Sequence, residues 1–219
     1  MSALPIVVSP RRPGSTERVR LERRARRLAW GGNVWHVAEF AIALAAGISA
    51  SSIALVGFGI DSLIEVLAGS VVVWLFTGRR LGSEAAERRA QQVIAVSFLL
   101  LAAYVAVESV RTLAGSVHPD PSWVGIGLAA VTAPTMPLLA RAKRRVGHRL
   151  GSAATVAEGA QNLLCAYLSV ALLAGLGANA LLGWWWADPL AGLAIAAVAA
   201  REGLESWRGR ACADAAASG

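Results

Sequence analysis

Six long apolar windows constrain the fold of this chain more than any other feature. They lie near residues 32–50, 53–77, 93–113, 122–140, 153–175 and 181–200. A helix that crosses a lipid bilayer needs about 20 mostly apolar residues, and each window approaches that length. With 56% hydrophobic and only 16% charged residues, the chain is too apolar for an ordinary soluble domain. The windows therefore predict an all-α integral membrane protein with six transmembrane helices.

The basic residues indicate how these helices are oriented. Of the 21 Lys and Arg residues, all except Arg111 fall in four segments, at 1–32, 79–92, 141–149 and 201–210. If all six windows cross the membrane, these four segments lie on the same side. Segments rich in Lys and Arg stay in the cytoplasm, so we expect both termini to be cytoplasmic.

The same pattern divides the chain into three parts. We predict a basic cytosolic N-terminal arm at 1–30, a six-helix transmembrane domain at 31–203 and a short cytosolic tail at 204–219. Attraction of the basic segments to anionic lipid explains the net charge of +7, so the lipid bilayer is the expected partner and nucleic acid is not. The arginine-rich run at 18–27 suits a short amphipathic helix on the membrane surface.

Two of the apolar windows carry polar residues at matching positions. Asp61 and Glu65 lie in the second window. Gln161 and Cys165 lie one hundred positions later, in the fifth window. A spacing of four places both side chains of a pair on one helical face. Because ionisable groups inside a bilayer are costly and mark functional sites, we predict that these four residues bind a divalent cation.

The chemistry of these side chains narrows the choice of cation. Two carboxylates and one thiolate suit zinc, and also cobalt, iron(II) or cadmium. Magnesium and calcium prefer shells made only of oxygen. Ligands must lose protons to bind a metal, so metal and protons are expected to exchange at such a site.

Three further polar residues, Glu158, His36 and Glu39, each have two possible interpretations. Glu158 is interpreted as part of an access path or proton relay, or as the partner of Arg149 in a salt bridge at the cytosolic end. His36 and Glu39 belong to an access path or proton relay, or form hydrogen bonds at the membrane interface. Asp188 is expected to cap the N-terminus of the sixth helix.

Three segments together resemble the cation diffusion facilitator family of metal/proton antiporters. They are SIALVGFGIDSLIEV at 52–66, RLGSAATVAEGAQNLLCAY at 149–167 and WADPLAGLAIA at 186–196. The likeness covers about residues 30–208 and implies six spans and a homodimer. It places Asp61 and Glu65 at the two acidic ligand positions of the family's second helix.

The chain departs from the family pattern at several points. Gln161 and Cys165 stand where family members usually carry His and Asp, and Glu65 stands where Asp is usual. We expect no counterpart in this chain of the cytosolic metal-binding domain that commonly follows the sixth helix in the family. These differences bear on which metal is bound and on sensing of metal in the cytosol.

The resemblance and the polar residues lead to one expected function and one rival. We expect a divalent metal/proton antiporter, not an enzyme, that exports a transition metal, zinc first, across a bacterial inner membrane. The metal would be the transported substrate, with no permanently bound cofactor. The rival is a non-transporting membrane module, such as a metal-sensing or partner-binding subunit.

Overall fold

The described part of the chain is helical. The computed structural model describes residues 15–75, 84–115 and 118–208, and within these ranges it contains helices and turns but no strand. The helices are α1 (Ser15–Ser49), α2 (Ile53–Leu75), α3 (Glu84–Leu113), α4 (Trp123–Leu150), α5 (Ala153–Leu182) and α6 (Ala187–Trp207). The predicted all-α fold class is confirmed.

Four of the helices are long and apolar enough to cross a membrane. Their apolar stretches are Ile53–Val71, Ala95–Leu113, Trp123–Leu150 and Glu158–Leu182, in α2, α3, α4 and α5. Each reaches the length of about 20 residues that the hydrocarbon core requires. The protein is therefore a multi-pass membrane protein. Spanning by α1 and α6 as well, which would make six spans, stays a prediction.

Helix α1 begins earlier than its apolar window suggested. It starts at Ser15 and continues without a break to Ser49, so the arginine-rich run at 18–27 is the first part of α1. The expectation of a separate surface helix there is wrong. The assignments of 1–30 and 204–219 to the cytosol stay predictions, and residues 1–14 and 209–219 lie outside the described part.

The six helices form a ring of four with a pair beside it. Helices α1 and α2 pack together, α4 and α5 pack together, and the contacts of α1 with α4 and of α2 with α5 close the ring. Helix α3 packs on α6, and this pair lies against α2 and α5. Large buried side chains, among them Phe58, Leu55, Met136, Leu172 and Leu176, fill the ring.

The turns that follow α1 and α4 have the same construction. The N–H of Ser52 donates to the carbonyl of Gly47 at 2.9 Å, and the N–H of Ser152 donates to the carbonyl of Gly147 at 3.0 Å. In both turns the serine hydroxyl then accepts from a backbone N–H in the first turn of the next helix. The sequence repeat at one hundred residues therefore corresponds to a repeat in the structure, in which the α1–α2 hairpin matches the α4–α5 hairpin.

Close approach of the helices requires glycine in both hairpins. A Cβ atom at Gly47 would lie 2.9 Å from the backbone nitrogen of Val56, and one at Gly147 would lie 2.9 Å from that of Val156. Any larger residue would push the paired helices apart, because the obstructing atoms belong to the backbone. Small residues of this kind allow membrane helices to pack closely.

The two hairpin turns lie at opposite ends of the bundle. The N–H of Asp120, between α3 and α4, donates to the carbonyl of Ala50 at 2.8 Å, which places that connection beside the first hairpin turn. At the other end, Arg149 in the last turn of α4 pairs with Glu17 in the first turn of α1. The halves α1–α3 and α4–α6 therefore run in opposite directions, as in inverted-repeat transporters.

Asp188 stabilises α2, and its predicted role as the N-cap of the sixth helix is wrong. It is the second residue of α6 and is fully buried. Its carboxylate accepts from the Ser52 hydroxyl at 2.5 Å and from the Ala54 N–H at 3.5 Å. The N-terminus of α2 offers unpaired N–H groups and a favourable dipole, so the carboxylate links α6 to α2.

Replacing Asp188 with Ala should lower the apparent Tm by several degrees. The Ser52 hydroxyl and the Ala54 N–H would lose their acceptor, and losing a buried hydrogen bond to a charged group costs about 1.5–3 kcal/mol. Thermal unfolding in detergent measures this change. Asp120→Ala is the control, because Asp120 is exposed at the same end of the bundle. An equal loss of stability in both variants would contradict the assignment.

Candidate metal centre

Four ionisable side chains meet inside the ring of helices. They are His36 and Glu39 from α1, Glu65 from α2 and Cys165 from α5, and we call them the central cluster. One potential ligand atom from each lies within 4.8 Å of all the others. None of these residues is more than 5% exposed. The position of His36 and Glu39 deep in the bundle differs from the membrane interface that their place in the first apolar window suggested.

A second polar group faces the outside of the ring. Asp61, Glu65 and Gln161 line a small cavity between α2, α5 and the α3–α6 pair, which we call the side cavity. Its volume open to a water-sized sphere is about 10 Å³, close to what one water molecule needs. The remaining lining residues are Phe98, Leu164, Leu168, Val198, Ala199 and Glu202.

Helical geometry explains why neighbouring residues of α2 contribute to both the side cavity and the central cluster. Successive residues of an α-helix are rotated by about 100° and residues four apart by about 40°. Asp61 therefore faces the side cavity, Ser62 faces the interior of the ring, and Glu65 lies between these two directions. On α5, Gln161 likewise faces the side cavity, and Asn162 faces the interior of the ring.

The four predicted metal ligands are thus brought close but not into a single cluster. Asp61, Glu65 and Gln161 share the side cavity, whereas Cys165 joins Glu65 in the central cluster. Glu65 belongs to both groups. Metal binding by these four residues stays a prediction.

Glu39 is the better satisfied of the two carboxylates in the central cluster. It accepts from the Ser62 hydroxyl at 2.9 Å, from the Thr132 hydroxyl at 2.5 Å and from His36 Nδ1 at 3.1 Å. Three donors from three helices offset much of the cost of placing a carboxylate in an apolar interior. They also fix its position between α1, α2 and α4.

Glu65 has fewer donors, the Asn162 amide and the Cys165 thiol, and both come from α5. Its Oε1 accepts from the Asn162 amide at 3.4 Å. Its Oε2 lies 3.0 Å from His36 Nδ1 but makes no hydrogen bond. When Nδ1 carries the ring proton, that proton can point at only one acceptor, and the hydrogen-bond geometry then favours Glu39. One buried oxygen of Glu65 is left without a donor among the described residues.

Asn162 holds the other side of the imidazole ring. Its Nδ2 lies 2.9 Å from His36 Nε2 and 3.8 Å from the sulfur of Met136. Its Oδ1 has no hydrogen-bond partner among the described residues. Asn162 therefore connects α5 to His36 and to Glu65.

A buried ion pair lies between the central cluster and the end of the bundle that carries Arg149. Lys143 Nζ is 2.6 Å from Glu158 Oε1, and both side chains are almost fully buried. Arg149 pairs with Glu17 instead, so the alternative pairing of Glu158 with Arg149 is wrong. Lys143 holds only Oε1 of Glu158, and Oε2 has no hydrogen-bond partner among the described residues, so a place for Glu158 in an access path stays a prediction.

Sequence reasoning missed several polar residues of this region. Ser62 and Asn162 each directly follow a predicted ligand, and their matching offset of one hundred was a usable signal. Thr132 and Lys143 gave no such signal, because single polar residues on a long helix are common. Glu202 also lines the side cavity; it lies just beyond the sixth apolar window, in the segment 201–210 that was considered only for its basic residues.

Comparisons with known proteins relate this chain to cation efflux proteins. A family model described as the cation efflux transmembrane domain matches residues 35–208. Two curated proteins, each named "Probable cation efflux system protein", come from Mycobacterium tuberculosis strains CDC 1551 and H37Rv. Each is 31% identical over 185 residues, which cover 70% of this chain and 55% of the relative. The chain thus spans about half the length of these relatives.

Removing one charge of the buried pair between Lys143 and Glu158 should lower the free energy of unfolding strongly. Removing both charges should lower it less. Lys143→Met or Glu158→Gln leaves one buried charge unpaired, which destabilises by about 3–5 kcal/mol. The double variant removes both charges and should recover more than half of that loss. The free energy of unfolding in a detergent-denaturant titration gives all three values.

The exposed pair of Arg201 and Glu205 supplies the control. Its side chains are 75% and 30% exposed, and Glu205→Gln should change stability by less than about 1 kcal/mol. If the double variant at positions 143 and 158 is as unstable as the sum of the single variants, the two charges do not depend on each other.

Proposed function

The chain belongs to the cation efflux family, and from this premise we propose that it exports a divalent transition metal from the cytoplasm in exchange for protons. The carboxylates of Asp61 and Glu65 carry the proposal. Both are at least 95% buried, they lie within the apolar stretch of α2, and they line one cavity. Such groups in a membrane bundle mark an ion pathway.

The transported metal is proposed to be zinc, with cobalt, iron(II) or cadmium as further substrates. Asp61 and Glu65 offer oxygen ligands, Gln161 offers an amide oxygen, and Cys165 offers a sulfur next to Glu65. Zinc accepts mixed oxygen, nitrogen and sulfur ligands in a tetrahedral arrangement. A thiolate disfavours magnesium and calcium, which take oxygen ligands.

Protons are proposed to drive export by competing for the same ligands. A carboxylate or thiol must lose its proton before it binds a metal ion. Metal that arrives from the cytoplasm therefore displaces protons, and protons that arrive from outside displace metal. The opposite orientation of the two helical halves suits alternating access to such a site.

The setting is proposed to be a bacterial cell membrane, with both termini in the cytoplasm. The relatives are bacterial, and the basic segments follow the positive-inside rule. A homodimer is part of the proposal and rests on the family resemblance. Crosslinks between membrane helices of two copies are expected, and full transport by a strictly monomeric species would contradict the dimer.

Transport should be lost when either carboxylate of the side cavity is removed. In sealed proteoliposomes with an internal pH dye, addition of zinc should change the internal pH for the wild-type protein. Asp61→Ala and Glu65→Ala should each reduce that signal at least about tenfold, because losing a metal ligand costs more than the 10–100-fold typical of groups that only support ligands.

Glu108→Ala is the matched control for this assay. Glu108 is an acidic residue on α3 that pairs with Arg111 away from the ring, so its removal should leave transport unchanged. Normal transport by both side-cavity variants would overturn the proposed site. If the folded wild-type protein gives no signal with zinc, cobalt, iron(II), manganese or cadmium, the chain is a non-transporting module.

A further inference from the structure

We propose that the central cluster of His36, Glu39, Glu65 and Cys165 is itself a binding position for a divalent transition metal, distinct from the side cavity but sharing Glu65 with it. This inference rests on the proposed function, since it adds a second position to the same pathway. It gives His36 and Glu39 a role as direct ligands rather than as parts of a proton relay.

The unpartnered oxygen of Glu65 is the first observation that points to a cation. Glu39 has three hydrogen-bond donors, whereas Oε2 of Glu65 has none among the described residues. His36 Nδ1 lies 3.1 Å from one carboxylate and 3.0 Å from the other. A single ring proton can satisfy one of them, but a metal ion placed between the three groups interacts with all of them.

The spacing of the four groups fits a tetrahedral ion. With bond lengths of about 2.0–2.3 Å, such an ion holds its ligand atoms about 3.3–3.8 Å apart. The ligand atoms of the cluster already lie within 4.8 Å of one another. Binding therefore requires shifts of about 1 Å or less, which side-chain rotations can supply.

The donor set selects the kind of ion. One imidazole nitrogen, two carboxylate oxygens and one thiolate sulfur form a mixed shell of the type that zinc and cobalt(II) bind well. Magnesium and calcium would have to accept a nitrogen and a sulfur in place of oxygen. The central cluster therefore favours transition metals more strongly than the side cavity, whose polar ligands are all oxygens.

Surrounding side chains are placed to orient these ligands. Ser62 and Thr132 hold Glu39, and Asn162 contacts Nε2 of His36. Which end of an amide faces a partner is assigned from the hydrogen-bond network. With the Asn162 amide turned over, its unpaired Oδ1 accepts from Nε2–H, and the lone pair of Nδ1 then faces both carboxylates. That tautomer is the one a metal ion needs.

The two positions are separated by helical direction and joined by one side chain. Asp61 and Gln161 face the side cavity, while His36 and Glu39 lie on the opposite side of Glu65. An ion that moves from one position to the other keeps Glu65 as a ligand throughout. It exchanges oxygen ligands for nitrogen and sulfur ligands as it enters the ring.

Cobalt(II) titration of the purified full chain in detergent tests this proposal. Cobalt bound to a thiolate gives a near-ultraviolet charge-transfer band, and tetrahedral coordination gives intense visible bands. Both are expected for the wild-type protein. Cys165→Ser should abolish the charge-transfer band, and His36→Gln or Glu39→Gln should weaken apparent cobalt affinity by more than about tenfold, since groups that merely orient ligands already contribute 10–100-fold.

Two further variants separate ligation from a purely structural role. His36→Cys replaces a nitrogen ligand with a second thiolate, so the charge-transfer band should become about twice as intense per bound cobalt if each thiolate contributes its own transition. Asp61→Asn removes a group of the side cavity only and should retain the band. Helical circular dichroism and the elution volume of each variant confirm that it is folded, and Glu108→Gln is the surface control.

Three outcomes would overturn the proposal. They are the absence of the charge-transfer band in the wild-type protein, unchanged cobalt affinity in folded His36→Gln and Glu39→Gln, and loss of the band in Asp61→Asn. The last would place Cys165 in one site with Asp61. The proposed export fails separately, through normal transport by Asp61→Ala and Glu65→Ala, so the two failures are distinguishable.

Discussion

The need to balance buried carboxylates governs the architecture of this bundle. Charged oxygens in an apolar interior require donors or a cation nearby, and no single helix can supply them. Glu39 draws donors from its own helix, from α2 and from α4, whereas Glu65 draws donors only from α5, and its Oε2 has no hydrogen-bond partner among the described residues. Closing the ring of four helices brings these groups together. The glycine contacts contribute within each hairpin, because they bring the backbones of its two helices close together.

The two related hairpins have diverged into complementary partners. At equivalent positions, α2 carries Asp61 and Glu65, while α5 carries Gln161 and Cys165. One helix therefore supplies negative charge, and the other supplies an amide and a thiol that are neutral when protonated. Four carboxylates facing each other would repel strongly in the absence of an ion. The divergence reduces that repulsion and leaves room for His36 to enter the cluster from α1. A neutral or positive imidazole beside two carboxylates balances charge in a way that a second acidic pair would not.

Much of the fold was predictable, because bilayer thickness imposes a strong length requirement on apolar segments. The repeat of the polar pairs at one hundred residues, on helices expected to pack together, also indicated that Glu65 and Cys165 lie near each other, and the central cluster contains both. The depth of His36 was not predictable from its apolar window, since α1 starts at Ser15, well before that window begins. The role of Asn162 depends on which way α5 is rotated, and the role of Asp188 depends on which helix end lies beside it. Both are properties of packing between segments that are distant in sequence.

The placement of the ligands also indicates which motion would serve the proposed export. Each hairpin is locked internally by its glycine contacts, and the second is locked further by the ion pair between Lys143 and Glu158. Movement is therefore easier between hairpins than within them. His36, Glu39 and Glu65 belong to the first hairpin and Cys165 to the second. Sliding one hairpin against the other would separate the sulfur ligand from the carboxylates. A change of access would then weaken metal binding at the moment when an ion has to leave, which is the coupling that a transporter of this kind requires.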